Sequence, residues 1–147
     1  MTKDVVILIG APGCGKSTAC KNYLLYKPDS VVVSADDYFV NPETGHYTFD
    51  RSRLHAAHLT CQNKFAVALE NGVEQIIVDN TNIIAKHRQV YIDLAQKHGY
   101  TVWIHCIEAD AETCFKRNVH GVPLETIERM ISMIDTPYGC YKLGDRV

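Results

Sequence analysis

Apolar residues follow two alternating patterns along the chain. Short, nearly continuous apolar runs predict strands that are buried on both faces of a parallel sheet. These runs cover residues 5–9, 31–33 and 75–79. A fourth run, 101–107, alternates apolar and polar residues, which predicts a strand that is only partly covered.

The second pattern repeats apolar residues every three or four positions, the period of an amphipathic helix. It predicts helices over residues 18–26, 51–71, 85–98, 111–119 and 124–134. Residues 40–50 are rich in turn formers and aromatic residues, which predicts an ordered loop. The tail from Thr136 follows neither pattern, so we expect it to be irregular.

Strands that alternate with helices predict an α/β fold. We expect a three-layer sandwich of four or five parallel strands with helices on both faces. The 147 residues suit one domain over 1–147. The last two predicted helices are joined by a short link that contains Gly121 and Pro123. This arrangement predicts a helical lid over about residues 110–135, which closes over a site and excludes water.

A glycine-rich segment joins the first predicted strand to the first predicted helix. It matches the phosphate-binding P-loop pattern G-x-x-x-x-G-K-[ST] in the strand–loop–helix context that the pattern requires. The backbone N–H groups of such a loop surround phosphate oxygens, Lys16 reaches the β- and γ-phosphates, and the Ser17 hydroxyl ligates Mg²⁺. The sequence therefore predicts a nucleoside triphosphate site formed by Gly10, Ala11, Pro12, Gly13, Cys14, Gly15, Lys16, Ser17 and Thr18.

Aspartates follow two of the predicted strands directly. Asp36 and Asp37 come after the second strand, and Asp79 ends the third. Ligands of open α/β sheets bind beyond the carboxyl ends of the strands, where these carboxylates arrive. An apolar strand that ends in aspartate downstream of a P-loop is Walker B-like, so Asp79 is a candidate for holding Mg²⁺ with Ser17. The alternative is that the aspartates only cap turns or a helix.

Composition narrows the class of protein. The net charge of −2 argues against a protein that coats duplex DNA, but not against an enzyme that holds one strand end. The six cysteines form no C-x-x-C pair, which favours buried reduced thiols over disulfides or a zinc site. No apolar run approaches a membrane span and no signal peptide pattern opens the chain, so we expect a soluble cytoplasmic protein with no membrane partner.

A P-loop alone does not distinguish a kinase from a GTPase or a mechanical ATPase. The chain has little room for the modules of an ATPase motor, and the N-K-x-D motif of guanine recognition is absent. A small phosphotransferase remains. It needs a base, Mg²⁺ and cations near the transferring phosphoryl group. Asp36 or Asp37 supplies the first, Ser17 with Asp79 the second, and Lys16 with Arg117 the third.

Four segments together resemble the 5′-hydroxyl polynucleotide kinase family, which includes the kinase domain of phage polynucleotide kinase and that of the animal repair kinase–phosphatase. They are residues 10–18, 34–39, 78–82 and 117–123. Residues 45–50, followed by Leu54, Ala57 and His58, also resemble the kinase-like domain of NEDD4-binding protein 2. The resemblance extends from Val5 to about Met133.

The resemblance implies an ATP- and Mg²⁺-dependent kinase of RNA or DNA 5′-hydroxyl ends, with the third strand beside the first as in adenylate-kinase-like folds. It implies that Asp36 is the general base with Asp37 in support, and that Arg117 contacts the transferring phosphoryl group. Asn82 is implied to lie near the acceptor site. Arg88 matches an arginine of the phage enzyme and is implied to be a substrate residue as well.

The chain departs from the phage enzyme at the acceptor site. Ala35 and Phe39 stand where that enzyme has arginines, the second of which grips the substrate phosphate, and a second lid cation is missing near His120. Tyr38, Phe39 or Tyr47 could instead stack on a terminal base. Packing of these rings under the loop is the alternative.

Two other functions stay open at this point. One is a kinase of a small molecule such as a nucleoside or sugar, which the missing arginines and the mild acidity favour. The other is a nucleotide-binding interaction domain, which the complete set of Lys16, Ser17, Asp36 and Arg117 argues against. The sequence leaves the oligomeric state and the choice between RNA and DNA undecided.

Overall fold

The computed structural model describes residues 2–145, so the ends of the predicted 1–147 domain, residues 1, 146 and 147, lie outside the described residues. This part of the chain contains five strands and five α-helices. The strands are β1 (Asp4–Ile9), β2 (Val31–Val33), β3 (Gln75–Val78), β4 (Thr101–Cys106) and β5 (Gly139–Lys142). The helices are α1 (Lys16–Tyr26), α2 (Leu54–Glu70), α3 (Ala85–Lys97), α4 (Ala111–Arg117) and α5 (Leu124–Ser132).

The strands form one sheet in the order β2-β3-β1-β4-β5. The first four are parallel, and β3 lies beside β1, which confirms the expected adenylate-kinase-like order. The carboxyl ends of β1, β2 and β3 therefore meet at one edge, and the P-loop and all three predicted aspartates follow these ends. Short 3₁₀ helices, Ala35–Phe39 and Arg51–Arg53, lie between β2 and α2.

The prediction of an irregular tail is wrong, because β5 pairs antiparallel with β4 from Trp103 and Lys142 to Cys106 and Gly139. Most β5 side chains are exposed, so no buried apolar pattern marks the strand in the sequence. The open edge of β4 supplies the hydrogen-bonding partners that make this segment a strand.

Helices cover both faces of the sheet, as predicted. Val5, Ile7 and Ile9 of β1 pack with α2 and α3 in the larger core, whereas Val6 and Leu8 pack with α1. All five side chains are at most 3% exposed, and burying each stabilises the fold by about 1.5–3 kcal/mol. Alternate residues of one strand thus hold the three layers together, and the P-loop begins at the rigid end of that strand.

Among residues 2–145 no helix is long and apolar enough to cross a membrane. All six thiols are free, and five of them are buried, as expected. Cys140 departs from the expectation, because its position on the edge strand β5 leaves the side chain exposed.

Candidate active site

The P-loop turns sharply between β1 and α1. Gly13 and Gly15 have φ angles of 83° and 114°, a conformation that side chains disfavour. Helix α1 begins at Lys16, and no side chain caps its N-terminus. The N–H groups of its first turn are therefore available to a phosphate, and the helix dipole favours an anion there. The Lys16 ammonium donates to the carbonyl oxygens of Gly10 at 2.9 Å and Ala11 at 3.1 Å, so it lies over the predicted phosphate-binding loop.

Helices α4 and α5, which we call the α4–α5 pair, pack directly on this loop. A small cluster joins Ala11 and Cys14 of the loop to Cys114 of α4 and Ile127 of α5. A Cβ atom at Gly13 would overlap the backbone carbonyl of Cys114, so only glycine allows the close approach. The predicted lid segment thus rests against the P-loop, with Arg117 exposed at the last position of α4.

The segment that contains Asp36 is held by its neighbours in space. The Ser34 hydroxyl accepts from the Asp36 N–H at 3.3 Å, and the Asn80 amide oxygen accepts from the Ala35 N–H at 2.8 Å. The Asn80 amide nitrogen in turn donates to the Tyr91 hydroxyl at 3.4 Å. Asn80 was not predicted as a site residue. Its place directly after Asp79, the acid that follows β3, is the one sequence signal for its role.

The Asp36 side chain is 56% exposed and has two polar neighbours. The Tyr47 hydroxyl donates to it at 3.2 Å, and the His120 Nε2 atom lies 3.9 Å from its other oxygen. The rings of Tyr47 and His120 are themselves in contact, with centroids 4.1 Å apart. Burial, together with the nearby Asp36 carboxylate, raises the pKa of Tyr47 to about 12, so the hydroxyl stays a donor at neutral pH. Loop 40–50 and the link between α4 and α5 therefore meet at this carboxylate.

Charge effects show that Asp37 and Asp79, the remaining predicted aspartates, lie near Lys16 and Asp36. Burial raises the pKa of Asp79, and the Lys16 ammonium and a hydrogen bond from Cys20 partly offset that effect. The carboxylates of Asp36 and Asp37 also raise the pKa of Asp79. Burial likewise raises the pKa of Asp37, against the opposing charge of Lys64. Lys16 and the three aspartates thus share one electrostatic environment.

These residues fit a nucleotide with Mg²⁺. The exposed Ser17 hydroxyl lies in the first turn of α1, and the Asp79 carboxylate follows β3; both are the oxygen ligands that Mg²⁺ prefers. Within residues 2–145 no group of three His, Cys, Asp or Glu side chains could hold a metal ion. An ion bound mainly by phosphate oxygens and water needs no such group.

Two residues predicted near the acceptor are buried instead. Arg88 is 5% exposed, and its guanidinium donates to the carbonyl oxygens of Asn82 at 2.8 Å and Ile83 at 2.9 Å, and to the Asp135 carboxylate at 2.7 Å. The Asn82 amide donates to the Leu8 carbonyl at 2.7 Å, and its φ angle is 51°. These contacts fix the loop after β3 against β1, so both side chains hold the backbone of the site.

The aromatic residues of the site divide into one buried and two accessible rings. Phe39 is 6% exposed and contacts Tyr38, Tyr47 and Phe49, so its predicted stacking on a base is replaced by packing in the core. Tyr38 is half-buried, and its hydroxyl accepts from Arg53 at 3.5 Å. Tyr38 and Tyr47 are the two rings of the predicted set that remain accessible.

Curated relatives of the chain include a human protein and a viral one. NEDD4-binding protein 2 of Homo sapiens is 40% identical over 134 residues, which cover 86% of this chain and 7% of that protein. A protein of Acanthamoeba polyphaga mimivirus, named as a bifunctional polynucleotide phosphatase/kinase, is 31% identical over 98 residues, or 67% of this chain and 19% of that protein. The chain thus spans less than a fifth of either relative.

Solved structures share the fold. A chain of the Pnkp1/Rnl/Hen1 RNA repair complex has a TM-score of 0.74 and 17% identity, covering 99% of this chain and 50% of that chain. A gluconokinase from Sinorhizobium meliloti 1021 has a TM-score of 0.60 and 14% identity, covering 91% of this chain and 76% of that one. The fold therefore occurs in kinases of different acceptors.

The AAA domain family matches residues 5–135, nearly the whole described chain. The match includes the P-loop, the three aspartates and the α4–α5 pair. The chain therefore belongs to the AAA domain family, as a P-loop kinase domain with polynucleotide kinase relatives.

Proposed function

We propose that the chain transfers the γ-phosphate of ATP to the 5′-hydroxyl end of an RNA or DNA strand. The observation that supports this most strongly is the Asp36 carboxylate. It is 56% exposed, it accepts a hydrogen bond from Tyr47, and it follows β2 at the sheet edge where the P-loop begins. A carboxylate that is both oriented and accessible suits a general base that must meet a hydroxyl group delivered from outside.

In this proposal Asp36 accepts the proton of the 5′-hydroxyl while the hydroxyl oxygen bonds to the γ-phosphorus of ATP. The bond from that phosphorus to the β–γ bridging oxygen breaks, and ADP leaves. Lys16 and Arg117 stabilise the charge of the transferring phosphoryl group, and Asp37 and Asn80 keep the base in place. Bound Mg²⁺, held by Ser17 and Asp79, would supply further charge neutralisation at the phosphates.

The α4–α5 pair acts as a lid in this proposal. Its packing on Ala11 and Cys14 brings Arg117 to the P-loop side of the molecule. Water must be kept from the phosphoryl group, since hydrolysis of ATP competes with transfer to a hydroxyl. The contact between His120 and Tyr47 connects this lid to the acceptor loop.

An exposed acceptor edge favours a strand end over a small enclosed molecule. Asp36 and Tyr47 both border solvent, and the name of the mimivirus relative points to polynucleotides. The kinase of a small acceptor is the second candidate, because the gluconokinase shares the fold.

The test is transfer of labelled γ-phosphate from ATP, with Mg²⁺, to RNA and DNA oligonucleotides that carry a 5′-hydroxyl. The same oligonucleotides with a 5′-phosphate are the matched controls, and a free nucleoside and gluconate are the competing acceptors. We expect label only on the 5′-hydroxyl strands. Label on the nucleoside or gluconate, with none on any strand, would contradict the proposal.

A further inference from the structure

The link between α4 and α5 brings an imidazole next to the proposed base. The Asn118 side chain shapes this link, because its amide oxygen accepts from the His120 N–H at 3.0 Å and its amide nitrogen donates to the Val122 carbonyl at 2.7 Å. These two hydrogen bonds hold the backbone of His120 in place. The Nε2 atom of its ring lies 3.9 Å from the Oδ2 atom of Asp36.

The ring of His120 is held from its other side by Tyr47. The two ring centroids are 4.1 Å apart, and the planes are inclined by 39°. The Tyr47 hydroxyl donates to the Oδ1 atom of Asp36 at 3.2 Å. Tyr47 and His120 therefore approach different oxygen atoms of the same carboxylate, one through a hydrogen bond and the other across a gap.

The gap between His120 and Asp36 is too wide for a hydrogen bond. The 3.9 Å between Nε2 and Oδ2 exceeds the longest ordinary N–H···O distance, about 3.2 Å. The side chains are 34% and 56% exposed, and an ion pair between groups so open to water adds little to stability. Direct attraction between the two groups therefore contributes little to the fold.

The same gap fits one hydroxyl oxygen. Such an oxygen lies about 2.7–2.8 Å from a carboxylate oxygen to which it donates, and about 2.9–3.0 Å from an N–H group that donates to it. Because these two lengths together exceed 3.9 Å, a single oxygen atom reaches both Nε2 and Oδ2. A hydroxyl group also has the right polarity, with one proton for the carboxylate and lone pairs for the imidazole N–H.

We propose that the 5′-hydroxyl of the acceptor bridges Asp36 and His120, donating its proton to the carboxylate and accepting a hydrogen bond from the imidazole Nε2–H. This inference rests on the proposed function and adds His120 to the residues that contact the acceptor. The second hydrogen bond points the O–H group at the base and leaves the other lone pair of the oxygen to attack the γ-phosphorus. Because His120 belongs to the α4–α5 pair, the acceptor hydroxyl and the lid are then in direct contact.

The first test measures binding by calorimetry in the absence of ATP, so it needs no turnover. It compares an oligonucleotide that has a 5′-hydroxyl with its 5′-deoxy analogue, which keeps every phosphate but ends in a methyl group. We expect the wild type to bind the hydroxyl strand about 10- to 100-fold more tightly, the factor of two hydrogen bonds of which one is to a charged group.

Substitutions of His120 separate its N–H group from its ring. His120→Phe keeps an aromatic ring against Tyr47 but cannot donate, so it should lower the preference for the hydroxyl strand about three- to tenfold. His120→Gln has an N–H donor near the place of Nε2 and should restore most of the preference. The control His98→Phe, which changes the residue that ends α3, should bind both strands like the wild type.

Transfer kinetics provide the second readout. His120→Phe should raise the KM for the 5′-hydroxyl strand about three- to tenfold, while the KM for ATP and the urea midpoint of unfolding stay at their wild-type values. A purely structural role of His120 in the lid would change these two values as well.

Three results overturn the inference. They are equal affinity of the wild type for the two strands, the full wild-type preference in His120→Phe, and an equal loss of affinity for both strands in that variant. Failure of the proposed function has a different signature, since no strand then receives label from ATP. The binding preference would still decide whether Asp36 and His120 hold a hydroxyl group, and a wild type that binds neither strand would overturn both proposals.

Discussion

Replacing Arg88 by methionine should destabilise the fold without weakening acceptor binding. The guanidinium donates to two backbone carbonyls in the loop after β3, at 2.8 and 2.9 Å, and to Asp135 at 2.7 Å. Methionine keeps most of the buried stem but cannot donate. The substitution therefore isolates the polar contacts of a side chain that is 5% exposed.

The size of the effect follows from what each partner loses. Two buried carbonyls lose a charged donor, and an unsatisfied buried acceptor costs about 1–3 kcal/mol. The Asp135 side chain is 55% exposed, so water replaces most of its interaction and the loss there is below about 1 kcal/mol. We expect the free energy of unfolding to fall by about 3 kcal/mol, since the loop can relax in part. For a domain of this size the melting temperature would fall by roughly 6–12 °C.

Urea unfolding, followed by far-UV circular dichroism, measures this change. The matched control is Asp135→Asn, which removes only the exposed partner and should cost less than about 1 kcal/mol. At a temperature low enough for Arg88→Met to remain folded, this variant should keep the wild-type KM for the acceptor. If Arg88→Met had the urea midpoint of the wild type and a raised KM for the acceptor, the structural role of Arg88 would be refuted. The result would instead support the acceptor contact that the family resemblance implies.

Three further substitutions test the site. Gly13→Ala should lose ATP binding and destabilise the fold by roughly 1–3 kcal/mol, because the position has a positive φ angle and a neighbouring carbonyl fills the space of a Cβ atom. Gly45→Ala is its control, since Gly45 also has a positive φ angle but open space around it; equal losses of ATP binding in both would contradict the packing argument. Burial raises the pKa of Asp79 above 3.8, so the ionised carboxylate costs folding free energy, and that cost appears as the pH rises through the raised pKa. Asp79→Asn should therefore be more stable than the wild type at pH 7, equally stable below pH 3.8, and inactive in transfer; lower stability at pH 7 would show that the carboxylate stabilises the fold. Tyr47→Phe keeps the ring but removes the 3.2 Å hydrogen bond to Asp36, so kcat for transfer should fall roughly three- to tenfold while ATP affinity stays the same; an unchanged kcat would show that Tyr47 does not orient the base.

Most of the sheet and the P-loop could be predicted from the sequence. Strands β1, β2 and β3 are short apolar runs because they are buried on both faces, and the pattern is readable for that reason. Strand β5 was missed because its register and existence depend on the edge of β4, and its mostly exposed residues show no period of their own. Six of the ten helix ends differed from the prediction, by one to three residues, since caps and 3₁₀ turns such as Arg51–Arg53 decide them.

The burial of the residues predicted near the acceptor shows a second limit. Arg88 occupies the buried face of α3 together with Tyr91, Ile92 and Ala95, at spacings of three, four and seven residues. That periodicity would have indicated burial, but the resemblance to a family motif suggested a substrate contact. A charged residue on an apolar face is stable only with partners. The partners of Arg88 are two backbone carbonyls and the distant Asp135, which no sequence pattern reveals.

Contacts between distant segments account for what the sequence could not predict. Asn80 holds the Ala35 N–H, and His120 contacts Tyr47, although the residues of each pair are far apart in the chain. The same holds for His58, which the sequence indicated only through the resemblance to NEDD4-binding protein 2. Its proximity to His87 follows from the packing of α2 beside α3.

The central claim is that Asp36 is the base of a phosphoryl transfer to a 5′-hydroxyl strand end. The most direct measurement compares Asp36→Asn with Asp37→Asn in the turnover of a 5′-hydroxyl oligonucleotide with ATP and Mg²⁺, with ATP affinity measured in parallel. We expect Asp36→Asn to lower kcat by about 10²–10⁴, the contribution of a general base, with ATP affinity unchanged, and Asp37→Asn to retain far more activity. Turnover of Asp36→Asn close to that of the wild type would contradict the account.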